Sequence, residues 1–305
     1  MTEAAAERRR GLPRLAFDAR AFRWAAWLAL VALFAVTVSG ATVRLTGSGL
    51  GCENWPRCGD TFLPAQSYHA LIEFGNRVVG FVVGLTTLLA ALVAWRARVP
   101  RRLLLWTLAL PLLVLAQGIL GGITVLFELH PLIVMGHFLL SLVSIGVAVV
   151  VVAGAERLHR PRPSPALALP GWLGTLALAL LPLAAVLVVT GAFVTAAGPH
   201  SGGEDIERLG DLENAMWVHV RVSAVFGVAF LALVAALQRF RDRARGTALL
   251  AGGVLALLLV QMVVGEVQWR NQLPWELVLG HVTLATLVWT GVVALAVVLR
   301  RPQDA

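Results

Sequence analysis

Long apolar stretches, separated by short polar segments, account for most of this sequence. Eight of the stretches are 20 or more residues long, and an α-helix needs about 20 residues to cross about 30 Å of hydrocarbon. The pattern therefore predicts an all-α integral membrane protein with eight transmembrane helices. The predicted spans are residues 24–43, 70–95, 103–126, 131–153, 173–195, 215–237, 248–268 and 276–299.

The composition supports a membrane protein and excludes a soluble one. Of the 305 residues, 58% are hydrophobic and 14% are charged, and the mean hydropathy is +0.81. A net charge of +8 could indicate binding to nucleic acid, but the chain has no Lys, and its Arg residues lie mainly between the apolar stretches. We therefore interpret the basic excess as a signal for membrane topology and expect no nucleic-acid partner.

The arginines alternate between the connecting segments. Segments rich in arginine stay in the cytoplasm of a cell, so the alternation predicts a multi-pass protein of the cell membrane with both termini cytoplasmic. The arginine-poor segments, 44–69, 127–130, 196–214 and 269–275, are then the outer loops. The arginines that define the cytoplasmic side are Arg8, Arg9, Arg10, Arg14, Arg20 and Arg23, then Arg96, Arg98, Arg101 and Arg102, then Arg157, Arg160 and Arg162, then Arg239, Arg241, Arg243 and Arg245, and finally Arg300 and Arg301.

The second half of the chain repeats short motifs of the first half. One set of motifs recurs 144 residues later: Gln117, Gly121 and Gly136-His137 correspond to Gln261, Gly265 and Gly280-His281. A second set recurs 143 residues later, where His219 and Gly227 correspond to Asn76 and Gly84. In addition, the motif Val38-Ser39-Gly40-Ala41 resembles Val189-Thr190-Gly191-Ala192. An even number of spans per copy predicts two four-helix bundles related by an axis along the membrane normal. The predicted units are a cytoplasmic N-terminal segment (1–23), a first bundle (24–153), a cytoplasmic linker (154–172), a second bundle (173–299) and a cytoplasmic tail (300–305).

Three of the seven histidines lie inside predicted spans, each near the outer end of its helix. A membrane histidine can simply hydrogen-bond to a neighbouring helix. Neutral imidazole is also a good axial ligand of haem iron, and two facing helices of a bundle can hold a porphyrin. We expect His219 and His281 to form such a pair in the second half. The corresponding pair in the first half is Asn76 and His137, so a haem there would have at most one histidine ligand from these two positions.

Helical spacing places Glu73, Asn76 and Arg77 on one face of the second span. Ionisable residues are costly inside a membrane and are usually functional, so we expect this face to meet a ligand or a protein partner. The alternative is that Glu73 and Arg77, four residues apart, form only an intrahelical ion pair.

Arginines near the outer ends of the spans are candidates for binding haem propionates. Arg44, Arg77 and Arg221 have this position, and a guanidinium suits a carboxylate. The alternative is that they extend to lipid headgroups.

Both cysteines, Cys52 and Cys58, lie in the first outer loop, which is rich in glycine. Thiols oxidise on the outer side of a cell membrane, so we expect a disulfide. Closing so short a loop stabilises a fold by only about 2 kcal/mol, so both a structural and a redox role stay open.

These motifs together resemble the haem A synthase family over residues 24–299. The residues that carry the resemblance are Thr46-Gly47-Ser48-Gly49-Leu50-Gly51-Cys52, Trp55-Pro56, Cys58, Ile72-Glu73-Phe74-Gly75-Asn76-Arg77, Gly136-His137 and Gly280-His281. Members of this family oxidise a porphyrin methyl group of haem O to the formyl group of haem A, which terminal oxidases use. The family often has His at the position of Asn76, and some members have a second cysteine pair that this chain lacks.

The resemblance implies a role for each motif. Haem b would be the cofactor, held by His219 and His281; haem O would be the substrate and haem A the product. Glu73 would be the catalytic carboxylate, His137 an axial ligand of the haem being modified, and Cys52 and Cys58 a disulfide. The implied partners are an unidentified electron donor, haem O synthase and factors that assemble terminal oxidases.

Two other functions share some of these sequence features. A membrane b-type cytochrome for electron transfer would use the same histidine pair, but it would have no use for Glu73 beside Asn76. A transporter would also suit duplicated bundles and an intramembrane carboxylate, but it would carry no haem.

Overall fold

The computed structural model describes residues 18–52, 54–160, 169–200, 202 and 206–300. Several of the predicted cytoplasmic arginines, Arg8, Arg9, Arg10, Arg14, Arg162 and Arg301, lie outside the described residues. In the described part of the chain there are eight α-helices: α1 (Ala19–Leu45), α2 (Tyr68–Arg96), α3 (Arg101–Leu126), α4 (Pro131–His159), α5 (Gly171–Ala197), α6 (Leu212–Arg239), α7 (Arg245–Arg270) and α8 (Trp275–Leu299).

Every helix coincides with one of the predicted spans. All eight are 25 to 29 residues long, and a helix of that length extends roughly 38–44 Å at 1.5 Å per residue. Each is apolar enough to cross a membrane, and the large side chains on the outward surface, such as Phe81, Leu112, Val228 and Met262, are apolar and exposed. The prediction of an all-α membrane protein with eight spanning helices is confirmed.

Seven of the eight helices in the described part of the chain begin where the sequence supplies a cap or a proline. Asp18, Ser67 and Asp211 accept hydrogen bonds from backbone N–H groups in the first turns of α1, α2 and α6, which satisfies donors that a helix start leaves free. The helix α4 has Pro131 in its first turn, and α3, α5 and α8 begin directly after a proline. Because α4 runs to His159, the predicted linker at 154–172 begins inside this helix.

The packing divides the helices into two groups of four. In the first half α1 contacts α2, α2 contacts α3, α3 contacts α4, and α4 returns to α1; α5, α6, α7 and α8 contact one another in the same cyclic order. Each group has its own apolar core, with Phe22 and Ile145 fully buried in the first, and Phe226 and Phe230 in the second. The symmetry axis that the repeat predicts stays a prediction.

The helix pairs α3–α4 and α7–α8 are joined by turns of the same conformation. Glu128 and Leu129 in the first turn, and Gln272 and Leu273 in the second, have φ between 50° and 61°. The N–H of Leu129 donates to the carbonyl of Thr124 at 2.8 Å, and the N–H of Leu273 donates to that of Gln268 at 2.7 Å. These residues are also 144 apart, so the offset found in the sequence motifs extends to the backbone of the turns.

The two halves meet along α1, α4, α5 and α8. The indole N–H of Trp289 on α8 donates to the carbonyl of Leu142 on α4 at 2.8 Å. Near one end of the interface Arg157 donates to the carbonyl of Val297 at 3.1 Å. At the other end Arg44 donates to the carbonyls of Thr195 and His200. Polar bonds therefore hold the halves together at the middle and at both ends of the interface.

The loop between α1 and α2, residues 46–67, is named the disulfide loop here because it contains the bond between Cys52 and Cys58. This observation confirms the predicted disulfide. The side chain of Cys52 is buried, whereas that of Trp55 is partly exposed and lies against Gly122 of α3. The loop is thus packed onto the first half of the molecule.

Gly51 allows the disulfide loop to approach α2 closely. A Cβ atom at this position would overlap the backbone carbonyl of His69 and lie 2.7 Å from the amide nitrogen of Ala70. Backbone atoms of a helix cannot yield as the end of a flexible side chain can. Only glycine therefore fits between the loop and the first turn of α2.

We expect the substitution Gly51→Ala to loosen the disulfide loop and to expose Cys52 to reductant. A loss of about 1.4 kcal/mol in docking free energy raises the population of the open loop about tenfold. The rate at which dithiothreitol reduces the disulfide, measured by thiol labelling, should rise by the same factor. Gly75→Ala is the control, because a Cβ atom there meets nothing within 4 Å; equal rates for the two variants would contradict the prediction.

Candidate functional site

The histidines His219 on α6 and His281 on α8 face each other in the second half. Their ring centroids are 6.5 Å apart, and the ring planes are inclined by 69°. Each ring packs against a glycine of a neighbouring helix: a Cβ atom on Gly191 would lie 3.0 Å from His219, and one on Gly265 would lie 3.2 Å from His281. The small residues leave room for the imidazoles inside the bundle.

The separation of these two rings fits a single iron between them. A bond from an imidazole nitrogen to a metal ion is about 2 Å long, so one iron has room between ring centroids that are 6.5 Å apart. Ligating histidines usually offer their other nitrogen to a hydrogen bond, and Thr190 Oγ1 lies 3.0 Å from His219 Nδ1. His281 Nδ1 is buried and has no hydrogen-bond partner within the described residues. The pair is suited to axial ligation of a haem, which stays a prediction.

The first half contains the corresponding arrangement with one substitution. Asn76 on α2 lies near Gly40 of α1, where a Cβ atom would be 3.9 Å from Asn76 Oδ1, and His137 on α4 packs against Gly121 of α3, where a Cβ atom would be 3.3 Å from the ring. The hydroxyl of Ser39 donates to Asn76 Oδ1 at 2.5 Å. The first half thus offers one imidazole where the second half offers two.

Tertiary contacts explain why these short motifs recur. The glycines Gly40, Gly121, Gly191 and Gly265 come from different helices, and each one lies beside one of the four side chains Asn76, His137, His219 and His281. Ser39 and Thr190 supply a hydroxyl group to Asn76 and His219. The sequence showed these motifs as repeats but did not show that they touch.

A glutamine accompanies the histidine of α4 in the first half. Gln117 Nε2 donates to the carbonyl of His137 at 3.2 Å and to Ser141 Oγ at 2.7 Å. Gln117 Oε1 and His137 Nδ1 are buried without hydrogen-bond partners in the described part of the chain, and so are the corresponding atoms Gln261 Oε1 and His281 Nδ1. The repeat therefore extends to the unpaired polar atoms of both halves.

Glu73 is buried beneath the disulfide loop. Glu73 is only 4% exposed, and its Oε2 accepts a hydrogen bond from the backbone N–H of Cys52 at 2.7 Å. Its Oε1 pairs with Arg77 Nη2 at 2.5 Å. The expected intrahelical ion pair is present, but the contact with Cys52 also joins the carboxylate to the loop.

Arg77 of α2 binds the backbone of the disulfide loop. Its guanidinium donates to the backbone carbonyls of Asn54 at 3.2 Å and Arg57 at 2.9 Å, with longer bonds to those of Cys52 and Pro56. Together with the ion pair to Glu73, these bonds make one unit of the carboxylate, the guanidinium and the loop that carries the disulfide.

The other two predicted propionate ligands have different surroundings. Arg44 crosses to the second half through its bonds to the carbonyls of Thr195 and His200. The guanidinium of Arg221 lies 5.9 Å from the ring centroid of Trp217. Contacts of Arg44, Arg77 and Arg221 with propionates stay predictions.

Sequence reasoning missed the contacts among the loops at the disulfide end of the molecule. Leu129 is buried, and Cβ atoms built on Gly49 and Gly202 would both touch its side chain. The N–H of Gly49 donates to the carbonyl of Gly202 at 3.3 Å. The Nε2 atom of His200 lies 2.6 Å from the carbonyl oxygen of Leu273. No local pattern in the sequence indicated these contacts, because they join loops that are distant in the chain.

Comparison with known proteins identifies the family to which the chain belongs. The COX15-CtaA family model, described as a cytochrome oxidase assembly protein, matches residues 23–293. A protein of Geobacillus kaustophilus named Heme A synthase is 28% identical over 275 residues, which cover 86% of each chain. A protein of the same name from Symbiobacterium thermophilum is 33% identical over 270 residues, which cover 82% of this chain and 86% of the relative.

A further relative matches only part of the chain. A Heme A synthase of Lysinibacillus sphaericus is 36% identical over 129 residues, which cover 41% of this chain and 42% of the relative. The family model covers both candidate pairs, and each of the first two relatives covers most of the chain. The chain belongs to the COX15-CtaA family of cytochrome oxidase assembly proteins.

Proposed function

We propose that this protein is a haem A synthase, an oxidoreductase that converts haem O into haem A. The observation that carries the proposal is the pairing of two similar sites with different chemistry. The second half presents two facing imidazoles, and the first half has one imidazole and a buried carboxylate under the disulfide loop. Full-length similarity to proteins named Heme A synthase supports the same function.

The proposed orientation places both sites toward the outer face of the cell membrane. The disulfide loop and the turns at Leu129 and Leu273 lie at the arginine-poor end of the helices, whereas most arginines of the described residues lie at the other end. By the positive-inside rule the disulfide end is outside, and both termini are cytoplasmic. The bacterial origin of the relatives supports the cell membrane as the location.

In the second half, His219 and His281 would hold haem b as its two axial ligands. A haem with two imidazole ligands supplies one-electron transfer rather than oxygen chemistry. Thr190 fixes the orientation of the His219 ring through its Nδ1 contact, as outer partners of ligating histidines do. The glycines Gly191 and Gly265 keep the ring positions free of side-chain crowding.

In the first half, His137 would be an axial ligand of the substrate haem, whose methyl group is oxidised in two successive hydroxylations. With dioxygen as the oxidant, each hydroxylation replaces one C–H bond with a C–OH bond, and the second oxygen atom leaves as water. Each step also consumes two electrons and two protons. The resulting diol then loses water without further oxidation and gives the formyl group.

Glu73 would stabilise positive charge that develops at the carbon beside the porphyrin ring. A buried and fixed carboxylate is effective in this role because it does not reorganise during the reaction. The N–H of Cys52 and the guanidinium of Arg77 hold it in one orientation. In this scheme the disulfide loop keeps the carboxylate in place and covers the site.

The remaining assignments concern groups at the edge of the sites and partners outside them. Arg44 and Arg221 are the proposed contacts of haem propionates, with Arg77 at the substrate haem. Electrons would come from a separate donor protein or molecule. Haem O synthase would deliver the substrate, and factors that assemble terminal oxidases would receive the product.

The haem content of the protein tests the proposed function directly. We expect protein purified from cells that also make haem O to contain haem b together with haem A or hydroxylated haem O. Reduced-minus-oxidised spectra and chromatography of the extracted haems measure this. Haem b as the sole haem would contradict the proposal in favour of a membrane cytochrome, and a protein without haem would favour a transporter.

We expect Glu73→Gln to keep haem b and to lose product. Removing one preorganised electrostatic group typically lowers a catalytic rate about 100- to 1000-fold. The amide still offers an oxygen to the N–H of Cys52, so the loop should stay docked. Glu266→Gln is the matched control, because it breaks an ion pair of the same spacing with Arg270 at an exposed position. Normal haem A formation by Glu73→Gln would remove Glu73 from the mechanism.

We expect His219→Ala and His281→Ala each to abolish the low-spin haem b spectrum. Each substitution removes one axial ligand, and a single remaining imidazole cannot maintain the six-coordinate state. Absorption spectra of the purified variants measure this, and size-exclusion chromatography checks that the protein remains folded. His159→Ala is the control, because His159 is the last residue of α4 and lies at the end of the helices opposite the disulfide loop. An unchanged low-spin spectrum in either of the first two variants would refute the assignment.

A further inference from the structure

We propose that the first-half site holds its haem by His137 alone, and that Asn76 is a hydrogen-bond donor to a diatomic ligand at the vacant coordination position. This inference rests on the proposed function for the presence of a haem in the first half. It adds a role for the residue that breaks the histidine pattern of the repeat. It also gives Ser39 the role of a positioning residue.

The repeat shows how Asn76 replaces a histidine. In the second half the hydroxyl of Thr190 lies 3.0 Å from Nδ1 of His219, which leaves Nε2 available for a metal. In the first half the hydroxyl of Ser39 donates to Oδ1 of Asn76 at 2.5 Å. In both halves the residue next in sequence to the hydroxyl, Gly40 or Gly191, is the small residue beside the same side chain. A hydroxyl contact and an adjacent glycine therefore fix the position of both side chains, Asn76 and His219.

The fixed amide of Asn76 leaves a donor group free. Its oxygen is occupied by Ser39, and within the described residues the Nδ2 group has no hydrogen-bond partner. An amide nitrogen carries two N–H bonds and acts only as a donor, so it cannot take the place of imidazole Nε2 as an iron ligand. Asn76 thus offers hydrogen-bond donation where His219 offers coordination.

This difference gives the two haem sites different reactivity. An iron with two imidazole ligands has no position for a further ligand, whereas an iron with one histidine ligand can bind a small molecule. Hydrogen-bond donors beside the open position are among the features that determine whether a haem protein binds or activates oxygen. The amide of Asn76 has the right chemistry to stabilise partial negative charge on such a ligand.

The packing around His137 is consistent with a single fixed ligand. The ring is confined by Gly121, and the backbone carbonyl of His137 accepts a hydrogen bond from Gln117. Gln117 also donates to Ser141, one turn further along α4. The helix segment that carries this imidazole is therefore tied to α3 by side-chain bonds, and Asn76 is tied to α1.

Carbon monoxide is the probe for an open coordination position. Matched controls come from exchanging asparagine and histidine between positions 76 and 219. In the reduced protein with both sites filled, about half of the total haem should bind carbon monoxide, because the second-half haem has two histidine ligands. Asn76→His should abolish this binding by closing the first site. His219→Asn should open the second site, and the fraction that binds carbon monoxide should rise to nearly all.

The infrared C–O stretching frequency of the bound probe tests the hydrogen bond itself. Asn76→Leu should retain binding but raise the frequency, because the ligand oxygen loses its donor. Ser39→Ala should shift the frequency in the same direction by a smaller amount, because the amide is no longer fixed. Ser39→Thr, which supplies the hydroxyl as Thr190 does, should leave it unchanged.

The experiment separates this inference from the proposed function. The identity of the extracted haems reports whether the protein makes haem A, and the carbon monoxide spectrum reports coordination. A wild-type protein with both sites filled, in which no haem binds carbon monoxide, would overturn the inference, whichever haems it contains. An unchanged C–O frequency in Asn76→Leu would overturn the role of the amide.

Discussion

A polar group inside an apolar helix bundle must find its partners within the protein, because the surrounding lipid offers none. This constraint accounts for the arrangement around Glu73. Its two carboxylate oxygens are taken by the N–H of Cys52 and by Arg77, and Arg77 uses its remaining donors on the carbonyls of the disulfide loop. The disulfide loop therefore supplies polar partners to both members of this ion pair, and in our proposal it also covers the first-half site.

The same constraint shapes the two candidate haem sites. Each of the four imidazole and amide side chains lies beside a glycine of a neighbouring helix that makes room for it, and hydroxyls from α1 and α5 form hydrogen bonds with two of them, Asn76 and His219. The same framework of glycines occurs in both halves. Within it, one side chain changes from His219 in the second half to Asn76 in the first. In our proposal that single change separates the site that transfers electrons from the site that modifies its haem.

The interface between the halves fixes the relation of the two sites. Lipid provides little driving force for helix association, so close packing and hydrogen bonds have to supply it. Trp289 bonds to α4 in the middle of the interface, while Arg44 and Arg157 bond to the other half at its ends. At the disulfide end, Leu129 packs against Gly49 of the disulfide loop and Gly202 of the segment between α5 and α6. Motion of one half relative to the other would have to break several of these contacts together.

The sequence alone determined the eight spans, because the free energy of transferring a helix into lipid depends on its local composition. It also determined the internal repeat and the residues with the chemistry for haem binding, since these are visible as motifs and as costly polar residues in apolar helices. The tertiary structure decided which residues meet. Ser39 with Asn76, Gly121 with His137, and Cys52 with Glu73 are each distant in the chain, and no local pattern specifies such contacts. The structure also showed that Arg44 and Arg77, two of the proposed propionate contacts, bond to backbone carbonyls that come close only when the loops and helices pack.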